Sequence, residues 1–448
     1  LYIIRSSHAL WDNYLPKVYK MHETQLHELF QGASSILLAD ESTDSEDRYI
    51  LDILFIPAFE DKKISSLIDV VFLKEVNSVK VSQAVVQTVS KYNVDFDQVS
   101  AFLTDNAMYM TKAWTQSLNG LFANAVHITC NAHIISLACK LWHKKLQDVN
   151  RFVTAWKHIF QHAPARKTWY KEYLKAINFY SEAFAPVPVL TRWNLWFETV
   201  LYHSERIHLY ERFIEAEEEL TTPTNALNEL SETLQNENLK KQFEFVAAHA
   251  KSLMSAIKGF ESSKPSIHQT FNTVSDLISW AERKAQNENL STDTHLNILF
   301  KSVLFDTAQK LKGYYEKRGP RFTQPGVEFF KSVRFFDPCQ VVTLRFDQGY
   351  LAARIPCFSK EEYNEFLSYS SAATETNHDV DAATYWFLQK ERWPALAKLA
   401  IRCLSILPHS EDAERSLSRY GQVVTNLTKS LKKDTLLAHT VLVTQSQI

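Results

Sequence analysis

The chain has 448 residues, 45% of them apolar, and a formal net charge of −2; it can bury a large core over two or three domains and offers no global electrostatic case for nucleic acid. Its eight glycines form neither GxG nor GxxxxGK, which excludes the phosphate-cradling loops of kinases, NTPases and dinucleotide enzymes. Five scattered cysteines with no repeated CxxC pair argue against a disulfide framework and fit a reducing compartment. The chain begins at Leu1, shows no signal peptide and no apolar run near the ~18 residues of a membrane span, and reads as a fragment of an intracellular protein.

In chain order, residues 1–33 read as a helical lead-in, with Leu26, Leu29 and Phe30 at helical spacing. Ile36–Ala39, Ile50–Ile56 and Leu67–Leu73 are short apolar runs between polar turns, which predicts a meander of three strands. A helix over Val79–Tyr92, a strand over Val99–Leu103, a helix over Ala107–Leu118 and a strand over Val126–Thr129 follow, giving β-β-β-α-β-α-β. From Ser136 the apolar period turns helical and stays so, through stretches near 193–220, 226–260, 265–286 and 292–317. Residues 318–375 read as loops with short helices. Helices return over Thr384–Leu407, Asp412–Val424 and Leu436–Val443. The expected division is therefore 1–33, an α/β part at 34–135, an all-helical insertion at 136–378 and a last part at 379–448.

Asp40 and Asp105 each follow directly on a predicted strand, and the carboxyl edge of an α/β sheet is where sites form. If the two strands are neighbours, the carboxylates repel each other and call for a divalent cation, as in two-metal phosphodiester chemistry. The alternative is ordinary turn chemistry, in which Asp caps the end of a strand, and Glu41 and Asp44 compete with Asp40 for the role. Cys130, His133, Cys139 and His143 do not follow the ligand order of a zinc finger.

Several motifs resemble those of hAT DNA transposases. Leu38-Ala39-Asp40-Glu41-Ser42-Thr43-Asp44 looks like the family's first-acid motif and Leu103-Thr104-Asp105-Asn106-Ala107 like its second. Cys130-Asn131-Ala132-His133 resembles its C-x-x-H element, and Thr191-Arg192-Trp193-Asn194 the R-W motif of its helical insertion. Tyr385-Trp386, Trp393-Pro394-Ala395-Leu396-Ala397, Leu404-Ser405-Ile406-Leu407-Pro408 and Glu414-Arg415-Ser416-Leu417-Ser418 resemble its carboxy-terminal dimerisation region.

The resemblance implies an α/β ribonuclease-H-like core, closed by C-terminal helices and interrupted by the all-helical insertion. It implies that Asp40, Asp105 and Glu414 are catalytic and hold Mg²⁺ or Mn²⁺. It further implies that His133 contacts the scissile phosphate and that Arg192 and Trp193 act on DNA, Trp193 by stacking on an extruded base. A buried, hydrogen-bonded His133 and a core Trp193 are the competing readings. The family often carries BED-type fingers upstream.

Between Lys140 and Lys171 lie eight Lys or Arg and one acid, Asp148, on helices with Trp142, Trp156 and Trp169. This is the candidate DNA face, with Lys140, Lys144, Lys145, Arg151 and Lys157 as contacts and a solvated helix surface as the alternative; two later basic stretches, Lys310–Arg334 and the one that Arg415 opens, support it. The expected function is metal-dependent cleavage and strand transfer on double-stranded transposon-end and target DNA, in the nucleus, by a homo-oligomer with no membrane partner. Tyr385, Trp386, Phe387, Leu396, Leu399, Leu404 and Leu407 are the candidate dimer surface or, equally, the domain's own core. A catalytically silent, host-adopted scaffold and a plain ribonuclease-H-like nuclease are the rival functions.

Overall fold

The computed structural model describes residues 10–58, 65–187, 193–218, 224–262, 266–316, 324–373, 380–424, 428 and 431–445. It divides into two compact units: Leu1–His133 with Phe260–Asn272 and Gly319–Ile448, and Ile134–Gly259 with Thr273–Arg318.

The first unit is built on a mixed five-stranded sheet. Helix α1 (Leu15–Phe30) leads into β1 (Ser35–Thr43), β2 (Tyr49–Pro57) and β3 (Ser66–Leu73); α2 (Ser78–Lys91), β4 (Val99–Thr104), α3 (Met108–Ala113) and β5 (Val126–Thr129) follow. The strand order is β3-β2-β1-β4-β5; β1, β2 and β3 pair antiparallel, and β4 and β5 run parallel to β1. The expected element order is thus present.

Alternation explains how the sheet is covered, since successive side chains of a strand point to opposite faces. Leu37 and Ala39 of β1, Leu51, Ile53 and Phe55 of β2 and Phe102 of β4 join one core with Leu26 and Phe30 of α1 and Val81, Val85 and Val89 of α2. The opposite parity carries Asp40 on β1 and Asp52 on β2. Burial on both faces makes the strands near-continuous apolar runs, and Asp52 within Tyr49–Pro57 breaks such a run.

C-terminal helices complete this unit: α12 (Val327–Val333), α13 (Lys360–Ala372), α14 (Ala382–Leu388), α15 (Pro394–Leu404), α16 (Glu411–Val423) and α17 (Lys433–Gln445), numbered after the eight helices α4 to α11 given below. Helix α16 packs on β1 and β2, and α17 on β3 and α1. The helix expected over Thr384–Leu407 is two helices, because Pro394 cannot continue a helix and instead opens α15 at its first turn. The segment from 324 onward belongs with the sheet, whereas the sequence reading grouped it with the helical insertion. The reason lies in packing that no local pattern reveals. The Gln324 side chain accepts from the Thr129 amide at 2.9 Å and donates to the Asn131 side chain at 3.0 Å. A Cβ on Gly326 would stand 3.0 Å from Ile128 Cγ1, so the backbone lies hard against β5.

The second unit is all helical: most of α4 (Asn131–Lys145), with α5 (Gln147–Phe160), α6 (Pro164–Ala176), α7 (Trp193–Glu218), α8 (Asn225–Leu234) and α9 (Glu237–Phe260), then α10 (Thr270–Asn287) and α11 (Thr294–Tyr315). Its core is aromatic. Trp156 lies 4.3 Å from Tyr210 and Phe245 4.2 Å from Phe300, ring centre to ring centre. The Trp142 indole donates to Thr307 Oγ1 at 3.0 Å. Among the described residues no helix is long and apolar enough to cross a membrane.

Candidate active site

The site begins where β1 and β4 part. Ala39 pairs with Thr104, the last residue of β4, so Asp40 and Asp105 come next on neighbouring strands. One expectation is corrected here: Asp40 lies within β1 rather than after it, because β2 stays paired with β1 as far as Thr43 opposite Tyr49. Only the parallel partner has ended at that point, and the two carboxylates still share the carboxyl edge of the parallel strands.

Asp40 is 9% exposed. Burial first, and then the charges of Asp105, Glu414 and Asp52, push its carboxyl well above the usual carboxylate range, against one backbone hydrogen bond from Glu41. The Asp105 carboxyl is also raised, by burial, while the Ala107 amide at 3.0 Å and the His133 ring pull it down. Glu414 stands in the first turn of α16, where the positive end of the helix dipole favours an anion. Its charge also acts on Cys130, whose thiol burial drives up to about 11, so Cys130 is packed rather than reactive. Asp40 thus lies in the fields of Asp105 and Glu414, and Asp105 in that of His133, though Asp40 and Glu414 are 374 positions apart in sequence (414 − 40).

The competing acids are otherwise engaged. Tyr109 donates to Glu41 at 2.9 Å. Asp44 accepts from Arg48 at 2.7 Å and from Tyr420 at 2.9 Å; burial would raise its carboxyl, but these bonds hold it below the usual range.

Further residues frame the site. The Asn131 side chain donates to the Pro408 carbonyl at 2.8 Å, and the Asn131 amide donates to the same carbonyl at 3.0 Å, tying the start of α4 to the loop before α16. Ser416 donates to Asp52 at 2.5 Å. His127 is buried beneath this edge, 3.1 Å from Thr104 Oγ1, and burial pushes its imidazole down to about 3, so it stays neutral. Asn131 sits inside a motif already singled out, and an acid in the apolar run of β2 was a signal for Asp52; Gln324 carried none.

A buried carboxyl whose proton affinity two further carboxylates raise is the donor chemistry of a hard divalent cation. Among the described residues no three His, Cys, Asp or Glu side chains are gathered closely enough for a single ion. The fit is therefore one of donor type and field.

The other predicted DNA contacts sort differently. Arg192 lies outside the described residues, as does the side chain of Trp193. Lys140, Lys144 and Lys157 are exposed on the helical unit. Lys145 pairs with Asp306 at 2.5 Å and Arg151 with Glu232 at 3.2 Å. Trp142 and Trp156 are 0% and 4% exposed, a correction to the aromatic part of that face: helical spacing does not say which face meets the core. Arg415 pairs with Glu411 and Asp412 at 2.8 and 2.9 Å. Tyr385, Trp386, Leu396, Leu399, Leu404 and Leu407 fill the core of their own unit, whereas Phe387 is 47% exposed.

Residues 362–445 match the model of the hAT family C-terminal dimerisation region, a span that takes in most of α13 and all of α14 to α17, and with them Glu414. No curated protein matches the chain. That region supports a hAT family, transposase-like protein.

Proposed function

We propose that the chain is a hAT-type DNA transposase, or a host-adopted derivative, that cleaves and joins phosphodiesters at transposon ends through Asp40, Asp105 and Glu414. The observation that carries this is the raised Asp40 carboxyl, buried and pressed by Asp105 just after β4 and Glu414 from α16. The sheet order, with three antiparallel strands followed by two parallel ones, supports a ribonuclease-H-like core. The dimerisation region supports a homo-oligomer.

Asp40, Asp105 and Glu414 would hold Mg²⁺ or Mn²⁺, which when bound activates a water or a 3′-hydroxyl and neutralises charge on the leaving oxygen. Asp40 must give up its proton to serve as a ligand, so metal loading strengthens as pH rises. His133, beside Asp105, orients a scissile phosphate, and Lys140, Lys144 and Lys157 offer cations to the duplex backbone. Such a substrate places the protein in the nucleus. The test is cleavage of a terminal-repeat duplex by the full chain with Mn²⁺. Nicking that Asp40→Asn, Asp105→Asn and Glu414→Gln each abolish supports the reading, and nicking indifferent to all three contradicts it. An inert chain that still binds the duplex would make it a scaffold.

A further inference from the structure

Asp52 is fully buried in the middle of β2, directly opposite Asp40 on β1. Its neighbours Leu51 and Ile53 belong to the apolar core on the other face. One of its oxygens accepts from Ser416 Oγ at 2.5 Å; the other has no hydrogen-bond partner among the described residues. A buried carboxyl with an unsatisfied oxygen destabilises a fold relative to an apolar residue of similar size. Packing alone does not call for an acid at this position.

What the acid does is hold α16. Ser416 is 1% exposed and lies two residues after Glu414, about 3 Å along the helix axis. A helix moves as a rigid element, so a bond that fixes Ser416 on β2 also fixes the place of Glu414. Two other anchors bracket it: the Pro408 carbonyl held by Asn131, and Tyr420, which donates to Asp44. Of the three, the Asp52 bond is the nearest to Glu414 in sequence, and it is the one made from the strand position facing Asp40.

We propose that Asp52 is a positioning residue: through Ser416 it sets where α16 rests on the sheet, and so where the Glu414 carboxylate meets Asp40 and Asp105, without itself touching substrate or metal. This rests on the three-acid reading above.

The experiment compares the full-length wild type with Asp52→Ala, Ser416→Ala and Asp52→Asn, which keeps an acceptor for Ser416. Thermal melts first establish that each variant is folded; Ser416→Ala removes only a hydroxyl and keeps the test open if Asp52→Ala does not fold. Two quantities are then read: Mn²⁺-dependent cleavage of a terminal-repeat duplex, split into kcat and KM, and amide hydrogen exchange in the first turn of α16 without metal. Losing the Ser416 bond is expected to lower kcat by about tenfold to a hundredfold, the scale of a small misplacement, with KM little changed and exchange faster in that turn. Asp52→Asn is expected to restore both. Wild-type cleavage with Ser416→Ala unchanged in kcat and exchange would overturn the positioning role alone, as would an Asp52→Asn as impaired as Asp52→Ala. A wild type whose cleavage ignores Asp40, Asp105 and Glu414 would overturn the three-acid reading and this inference with it.

Discussion

The two units bury polar groups in opposite ways. In the helical unit His203 is fully buried, its Nδ1 lies 2.9 Å from the Tyr210 hydroxyl, and burial pushes its imidazole down to about 3, so it is neutral. Arg206, 3% exposed, donates to the Tyr202 carbonyl at 3.1 Å and to Glu205 at 3.0 Å, and its guanidinium stacks 3.9 Å from the Tyr202 ring. In the sheet unit, by contrast, Asp40, Asp52 and Asp105 are all raised, and Asp40 is raised further by the others' charges. At these positions the helical unit holds its buried imidazole neutral and pairs its buried guanidinium with an acid, whereas the sheet edge concentrates like charge. Like charge held out of water is tolerated where a function uses it, and that contrast, more than any single motif, singles out the sheet edge.

Breaking the contrast at the acids should give the largest effect. Asp40→Asn, Asp105→Asn and Glu414→Gln are each expected to lower Mn²⁺-dependent cleavage by at least about a thousandfold. They should leave the melting temperature equal or higher, because each relieves repulsion. The matched substitution in the helical unit should do the reverse. Trp156→Ala empties a core shared with Tyr210 and Tyr170 and is expected to cost about 3–5 kcal/mol of stability, measured by urea unfolding.

A smaller effect sharpens the comparison through pH. Burial raises the Asp52 carboxyl from 3.8 to about 7, so between those values the folded chain holds a proton that the unfolded chain has lost. The stability that this group contributes is therefore full below about pH 4 and declines as pH rises toward 7, by on the order of 4 kcal/mol. Asp52→Asn should remove that decline: the stability of wild type minus variant, from urea unfolding across this range, should fall with rising pH. A flat difference would mean that Asp52 ionises as an exposed acid does.

Much of the sheet was legible because its strands are short apolar runs separated by polar turns, and two of the three candidate acids because an apolar run stops at each, although β1 itself continues past Asp40 to Thr43. Glu414 was legible only through family resemblance, since nothing local to Glu414-Arg415-Ser416 says that α16 lies against β1 and β2. The edge of the helical unit was misread for a related reason. Gln324 reaches back to Thr129 across 195 residues, and such a contact leaves no periodic trace. Trp142 and Trp156 looked like part of a basic face because lysines flank them, yet a tryptophan at helical spacing beside exposed lysines is equally the buried stripe of an amphipathic helix, as it is here. Asp52 went unread because one acid in a nine-residue strand resembles noise until Ser416 is found upon it.

The central claim is that acids from β1, β4 and α16 act on shared divalent ions. Its most direct test is Mn²⁺ binding to the full-length protein, counted by the loss of the free-ion paramagnetic resonance signal, with Glu414→Gln beside the wild type. The account predicts saturable binding that Asp40→Asn abolishes and Glu414→Gln weakens by about tenfold or more; binding that Glu414→Gln leaves unchanged would contradict it.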